Sequence, residues 1–146
     1  MAPTREIADL ISMTERCYRE LQGLLERVPE GRLSARVGEE GLPALDQFFH
    51  ACGADYHYLN LMDGGTRRLV RPPEERGALR EMLQQSEGEV VGFLSRLTPE
   101  ELWSQRQVKW REGPDTCFWL FLHMIGHKYY HIGQLCSILH TLEATA

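Results

Sequence analysis

Apolar residues recur with a helical period along most of this chain. From Thr4 to Val28 they are Ile7, Leu10, Ile11, Cys17, Tyr18, Leu21, Leu24, Leu25 and Val28. This is the i, i+3, i+4, i+7 stripe of one buried face, with Thr14 in the missing position. Pro29-Glu30-Gly31 ends that helix, and a loop of about a dozen residues follows, punctuated by Gly38 and Gly41. A second helix is predicted from about Pro43 to Met62, with Leu42, Leu45, Phe49, Cys52, Tyr56, Leu59 and Met62 on its apolar face and Asp63-Gly64-Gly65 as its stop. Pro72-Pro73-Glu74-Glu75 reads as the first turn of a third helix, whose stripe of Leu79, Met82, Leu83, Val90, Phe93 and Leu94 continues to Leu97. Thr98-Pro99-Glu100-Glu101 reads as another start, one or two turns long, with Thr98 and Glu101 as a capping box. The polar stretch from Trp103 to Gly113 predicts a loop or a short extended piece. The last helix is predicted from about Pro114 to Leu142. Its first half is apolar on nearly every side, which suits a helix central to its bundle or covered by a partner chain. Strand signals are weak. The prediction is an all-α, four-helix bundle.

Composition narrows the class. A chain of 146 residues and 16.8 kDa is one domain. Chains of this size bury roughly 70% of their unfolded surface, enough for a core without disulfides or a structural metal. The formal charge of −5 and pI of about 5.7 argue against a protein that covers nucleic-acid phosphates. The N-terminus lacks the basic and apolar regions of a signal peptide. Uncharged stretches such as Thr116 to His127 are too short to span a bilayer. The expectation is a cytoplasmic protein with neither a nucleic-acid nor a membrane partner. Cys17, Cys52, Cys117 and Cys136 are scattered among apolar residues and read as buried, reduced thiols.

The chemistry concentrates in the histidines, three of which fall between His123 and His131. His127 and His131 are one above the other on a helix face, about 6 Å apart along the axis, and two imidazoles at this spacing can meet on one cation. His123 and His131 are about 12 Å apart, too far to share a metal. The pair is therefore His123/His127 or His127/His131. A third ligand must come from elsewhere. In the second helix His50 and His57 share a face, with the small residues Gly53 and Ala54 between them. His57 and His140 read as non-ligating. Lys128 lies about 100° around the helix from His127 and is expected to point to solvent. Asp55 is a poor candidate base and equally suits orienting an imidazole. Arg67, Arg68 and Arg71 form a basic loop that is either a clamp for an anion or simply solvated.

The run Phe121-Leu122-His123-Met124-Ile125-Gly126-His127-Lys128-Tyr129-Tyr130-His131-Ile132-Gly133-Gln134-Leu135 closely resembles the last-helix signature of the DinB/YfiT-like superfamily, His-x-x-x-His followed by x-Gly-Gln and an apolar residue. Phe48-Phe49-His50-Ala51-Cys52-Gly53-Ala54-Asp55-Tyr56-His57-Tyr58-Leu59 resembles its second-helix pattern, in which one histidine leads an apolar run. The resemblance covers essentially the whole chain in length and helix order. It implies an up-down-down-up four-helix bundle and a divalent metal, commonly zinc or nickel, held by three histidines. Those are His50, His127 and His131, and the Gly-Gln match selects His127/His131 as the last-helix pair. His123, His57, Asp55 and Tyr130 are then pocket residues or supports for the ligands, with His57 outside the pattern.

By analogy with relatives that use a low-molecular-weight thiol, the resemblance implies a metal-dependent S-transferase in which the thiolate attacks a small electrophile. The rival readings are a hydrolase using metal-bound hydroxide and a non-enzymatic module that binds a metal or small molecule. A homodimer is compatible with each.

Overall fold

The computed structural model describes residues 2–110 and 112–145. Four long helices make up most of it: α1 (Arg5–Arg27), α2 (Ala44–Asp63), α3 (Arg76–Arg96) and α5 (Cys117–Ala144). The short α4 (Pro99–Leu102) and an antiparallel hairpin of β1 (Gln105–Gln107) and β2 (Pro114–Thr116) connect α3 to α5. Helix α1 packs against α3 and α5, and α2 packs against the same two. The long helices therefore follow one another around the core in the order α1, α3, α2, α5.

The apolar stripes of α1 and α3 are largely buried as their spacing predicts, whereas α2 buries a shifted face, with Phe48, Ala51, Asp55 and Tyr58 inward and Leu45, Phe49 and Tyr56 only partly covered. Ile7, Leu10, Cys17, Tyr18, Leu21 and Leu25 face inward from α1, and Thr14 is buried among them. The core has two parts. One gathers Leu25, Phe48, Leu83 and Leu139, and the other gathers Leu10, Leu59, Leu94 and Phe121. Among the described residues no helix is long and apolar enough to cross a membrane.

Two helix starts differ from expectation. Helix α3 begins at Arg76, not at Pro72, because the proline pair disfavours helical backbone at the residues before each ring and Glu75 remains extended as the N-cap. Helix α5 begins at Cys117, because Pro114 to Thr116 pair with β1 and the side chain of Thr116 caps the helix instead. Gly113 next to β2 has φ +87°, which suits glycine at the turn. Leu42 precedes α2 and is exposed.

The capping box at α4 forms as predicted. Thr98 Oγ1 accepts from the Glu101 N–H at 3.2 Å, and the Glu101 carboxylate accepts from the Thr98 N–H at 2.9 Å. Thr98→Ala should cost about 1 kcal/mol in chemical denaturation.

Candidate functional site

Helix periodicity carries His123, His127 and His131 along one side of α5. His127 and His131 converge. Their rings have centroids 4.5 Å apart, and their Nε2 atoms are 3.3 Å apart. His131 is buried at 4% exposure, and its Nδ1 lies 2.6 Å from Gln47 Oε1 on α2. The Gln47 amide nitrogen donates to the Leu42 carbonyl at 3.5 Å, which turns Oε1 toward the imidazole. His131 Nδ1–H is then the donor to Gln47, and Nε2 carries the free lone pair. His127 Nδ1 is buried without a hydrogen-bond partner among the described residues.

Both rings are neutral near pH 7. Burial, with His127 and His50 nearby, pushes the His131 imidazole down to about 4. Burial also lowers His127, opposed by Asp55 and reinforced by Lys128. Two neutral imidazoles aimed at one point are a chemically suitable donor set for a divalent ion. Two nitrogens bound to one tetrahedral zinc at about 2.0–2.1 Å are about 3.3–3.4 Å apart, which matches the Nε2 pair.

His50 is exposed on α2 and lies beside the pair, with its ring stacked on that of His131 at 6.2 Å and 10°. It does not close a three-ligand cluster: among the described residues no group of three or more His, Cys, Asp or Glu side chains is gathered tightly enough to hold a metal. Tyr130 is exposed, with its ring 5.2 Å from that of His131. His123 and His57 belong to a separate aromatic group. Trp110 stacks on His123 at 6.0 Å and 13°, Tyr58 meets both edge-on at 5.5 Å, and His57 lies 6.4 Å from Trp110. A cavity of about 360 Å³ lined by Trp119, Leu122, His123, Gly126 and His127 joins the two groups.

Lys128 overturns its expectation. It is fully buried, and its Nζ donates to Asp55 Oδ1 at 2.6 Å and Oδ2 at 2.8 Å. The Tyr18 hydroxyl donates to the same carboxylate, and the ammonium lies 5.4 Å from the Tyr18 ring centroid. Burial and Asp55 hold the Tyr18 phenol well above its ordinary range. Asp55 thus serves Lys128 and Tyr18, not an imidazole. The signal was in the spacing: Phe121, Met124, Lys128, His131 and Leu135 form one buried stripe of α5, and Asp55 lies on that of Phe48, Ala51, Cys52 and Leu59. A helix that is central to its core buries more than one face.

The basic loop is not a free anion clamp. Arg67 is bound to Asp63 at 2.8 Å and Glu89 at 3.1 Å, which draws the Asp63 carboxyl below its ordinary range. Arg68 and Arg71 are exposed. Cys17, Cys52 and Cys117 are buried free thiols, and burial pushes Cys52 up to about 12, so it is inert. Cys136 is exposed, contrary to expectation.

Comparison with known families now decides the class. The model of the DinB family matches residues 5–145. The chain belongs to the DinB family. Solved structures agree on the DinB-like fold. A DinB-like protein from Bacillus subtilis is similar at a TM-score of 0.74 and 15% identity, over 92% of both chains. An uncharacterized protein from Clostridium difficile 630 is similar at a TM-score of 0.72 and 11% identity, over 93% of this chain and 96% of that one. No curated protein matches significantly.

Proposed function

We propose that this DinB-family protein binds one divalent metal ion, zinc or nickel, through His127 and His131, with the exposed His50 side chain turning in as the third donor when the ion binds, and transfers a low-molecular-weight thiol to a small electrophile. The observation that carries the proposal is the pair of Nε2 atoms 3.3 Å apart, one of them on a ring whose tautomer Gln47 sets. When bound, such an ion supplies positive charge that favours the thiolate over the thiol near neutral pH.

The chain's own residues divide the remaining work. Gln47 holds the His131 imidazole in the ligating orientation. Burial keeps both rings unprotonated, so their lone pairs are available. The Asp55 carboxylate is occupied by Lys128 and Tyr18 and is no base for the site. With Asp55 occupied, ionisation of the nucleophile, thiol or water, would rest on the charge of the bound ion.

Isothermal titration with zinc tests the site. One equivalent should bind to the native chain, and His127→Ala and His131→Ala should each abolish tight binding. Gln47→Ala should weaken it by about tenfold to a hundredfold, because it removes the hydrogen bond that orients a ligand. Unchanged zinc binding in His127→Ala overturns the proposed site. The reaction is tested by conjugation of thiols to chlorodinitrobenzene: a rate for the metal-loaded protein that equals background rejects the transferase.

A further inference from the structure

We propose that the cavity beside His127 receives the neutral aromatic end of a small-molecule substrate, with Trp119, His123 and Gly126 as the residues that set this preference. The inference rests on the metal-site reading above and supplies its substrate class.

The cavity follows one side of α5 and reaches His127, so a ligand seated in it ends beside the proposed metal-binding pair. The cavity is an open groove, with Trp119, His123 and Gly126 exposed, and its volume of about 360 Å³ lies toward the small end of the range for ligand pockets. Of its five lining residues, Trp119, Leu122, His123, Gly126 and His127, none carries a carboxylate, an ammonium or a guanidinium. Lys128, the nearest cation along the chain, is buried and held by Asp55. Nothing in the lining pairs with a charged substrate tail, and little in it would hydrogen-bond a sugar. What it does offer is two flat rings and an aliphatic side chain. Trp119 is 48% exposed, which leaves much of its indole available for stacking. The His123 ring is pinned by the Trp110 stack at 6.0 Å and the Tyr58 edge at 5.5 Å, so it is a preformed wall.

Gly126 shares its lack of steric constraint with Gly23, Gly53, Gly77, Gly88 and Gly133, so its contribution here is the open space it leaves beside His127. Glycine weakens a helix interior, and this one has neither a positive φ nor a close neighbour. A Cβ placed there would meet no atom within 4 Å. The fold has no steric need for glycine at this position, and a side chain there would occupy the cavity beside His127.

The test titrates benzyl mercaptan and mercaptoethanol into the full chain, with and without zinc, and follows the Trp119 indole signal by NMR, assigned with Trp119→Phe. Benzyl mercaptan should shift that signal and bind the zinc-loaded protein at least tenfold more tightly than mercaptoethanol. Gly126→Phe, which fills the cavity, and Trp119→Ala, a change at a half-exposed position for which binding is read by isothermal titration instead, should each cut that preference at least threefold. Helical circular dichroism verifies folding of both variants. Equal binding of the two thiols, or a preference unchanged in both variants, overturns the cavity assignment. Failure of the metal reading looks different: zinc does not bind, yet benzyl mercaptan still shifts Trp119 and Gly126→Phe still blocks the shift.

Discussion

Replacing Lys128 with methionine should destabilise the protein by about 3–5 kcal/mol, the cost of leaving a buried charge without its partner. Lys128 and Asp55 are both fully buried, with Nζ 2.6 Å and 2.8 Å from the two carboxylate oxygens. Methionine fills similar volume, so the loss reads electrostatics more than packing. The Tyr18 hydroxyl would still donate to Asp55, but one neutral hydrogen bond does not replace an ammonium on both oxygens. The double variant Lys128→Met/Asp55→Leu removes both charges and should recover most of the stability, since a buried ion pair is often no better than a well-packed apolar pair. Urea melts of the two single variants and the double variant at neutral pH complete the cycle. A loss below about 1 kcal/mol for Lys128→Met would show that the carboxylate is solvated or otherwise compensated.

The pair also has a geometric consequence. Tyr18 is on α1, Asp55 on α2 and Lys128 on α5, so one carboxylate ties three helices together. Lys128 is the neighbour of His127, and Asp55 is one heptad from Phe48, beside Gln47. The ion pair therefore restrains how α5 is turned relative to the helix that supplies Gln47 and His50. Should the double variant fold stably and yet bind zinc more weakly, the buried charges would be acting through orientation of the histidines.

The metal-free protein should lose about 3 kcal/mol of stability as pH falls from above 6.5 to below 4, through His131 alone. The sign follows from proton counts. His131 titrates near 4 in the folded chain and near 6.5 when unfolded, so between those values the unfolded chain binds the extra proton. Stability therefore rises with pH across this window and is flat above it. His127 is lowered in the same direction and steepens the loss. The Asp63 carboxyl, lowered by Arg67, loses its contribution only as pH falls below its ordinary value of 3.8, beneath the window. Denaturant melts from pH 7 to 4 measure the slope, and His131→Gln, which does not titrate, should flatten it. A slope unchanged in that variant would show that His131 accepts a proton in the folded protein at little cost. Zinc should steepen the native profile further, because protons compete for the same ring nitrogens.

Much of this molecule was legible in local patterns. The stripes of α1 and α3, the glycines at the end of α2 and the capping box of α4 each follow from rules that act within one or two turns. The last-helix histidines were legible for the same reason: a spacing of four places two rings on one face whatever surrounds the helix. The hairpin was not. Its strands are three residues each, and their pairing joins segments that carry no alternating apolar pattern. The site's supports were also hidden. Gln47 is a polar residue early in α2, and nothing near it in the chain announces that it meets His131.

By itself, the amino-acid sequence determined the helical class, the bounds of the long helices to within a few residues, and the face that carries His127 and His131. It also carried the DinB-family signature. Only the tertiary structure decided that Lys128 is buried and paired with Asp55, that Gln47 orients His131, and that Trp110 pins His123 beside a cavity. The physical reason is one of range. Periodicity and capping are interactions of a residue with its own turn. Burial of a charge, choice of a tautomer and the shape of a cavity depend on partners contributed by other elements, and those exist only once the helices have packed.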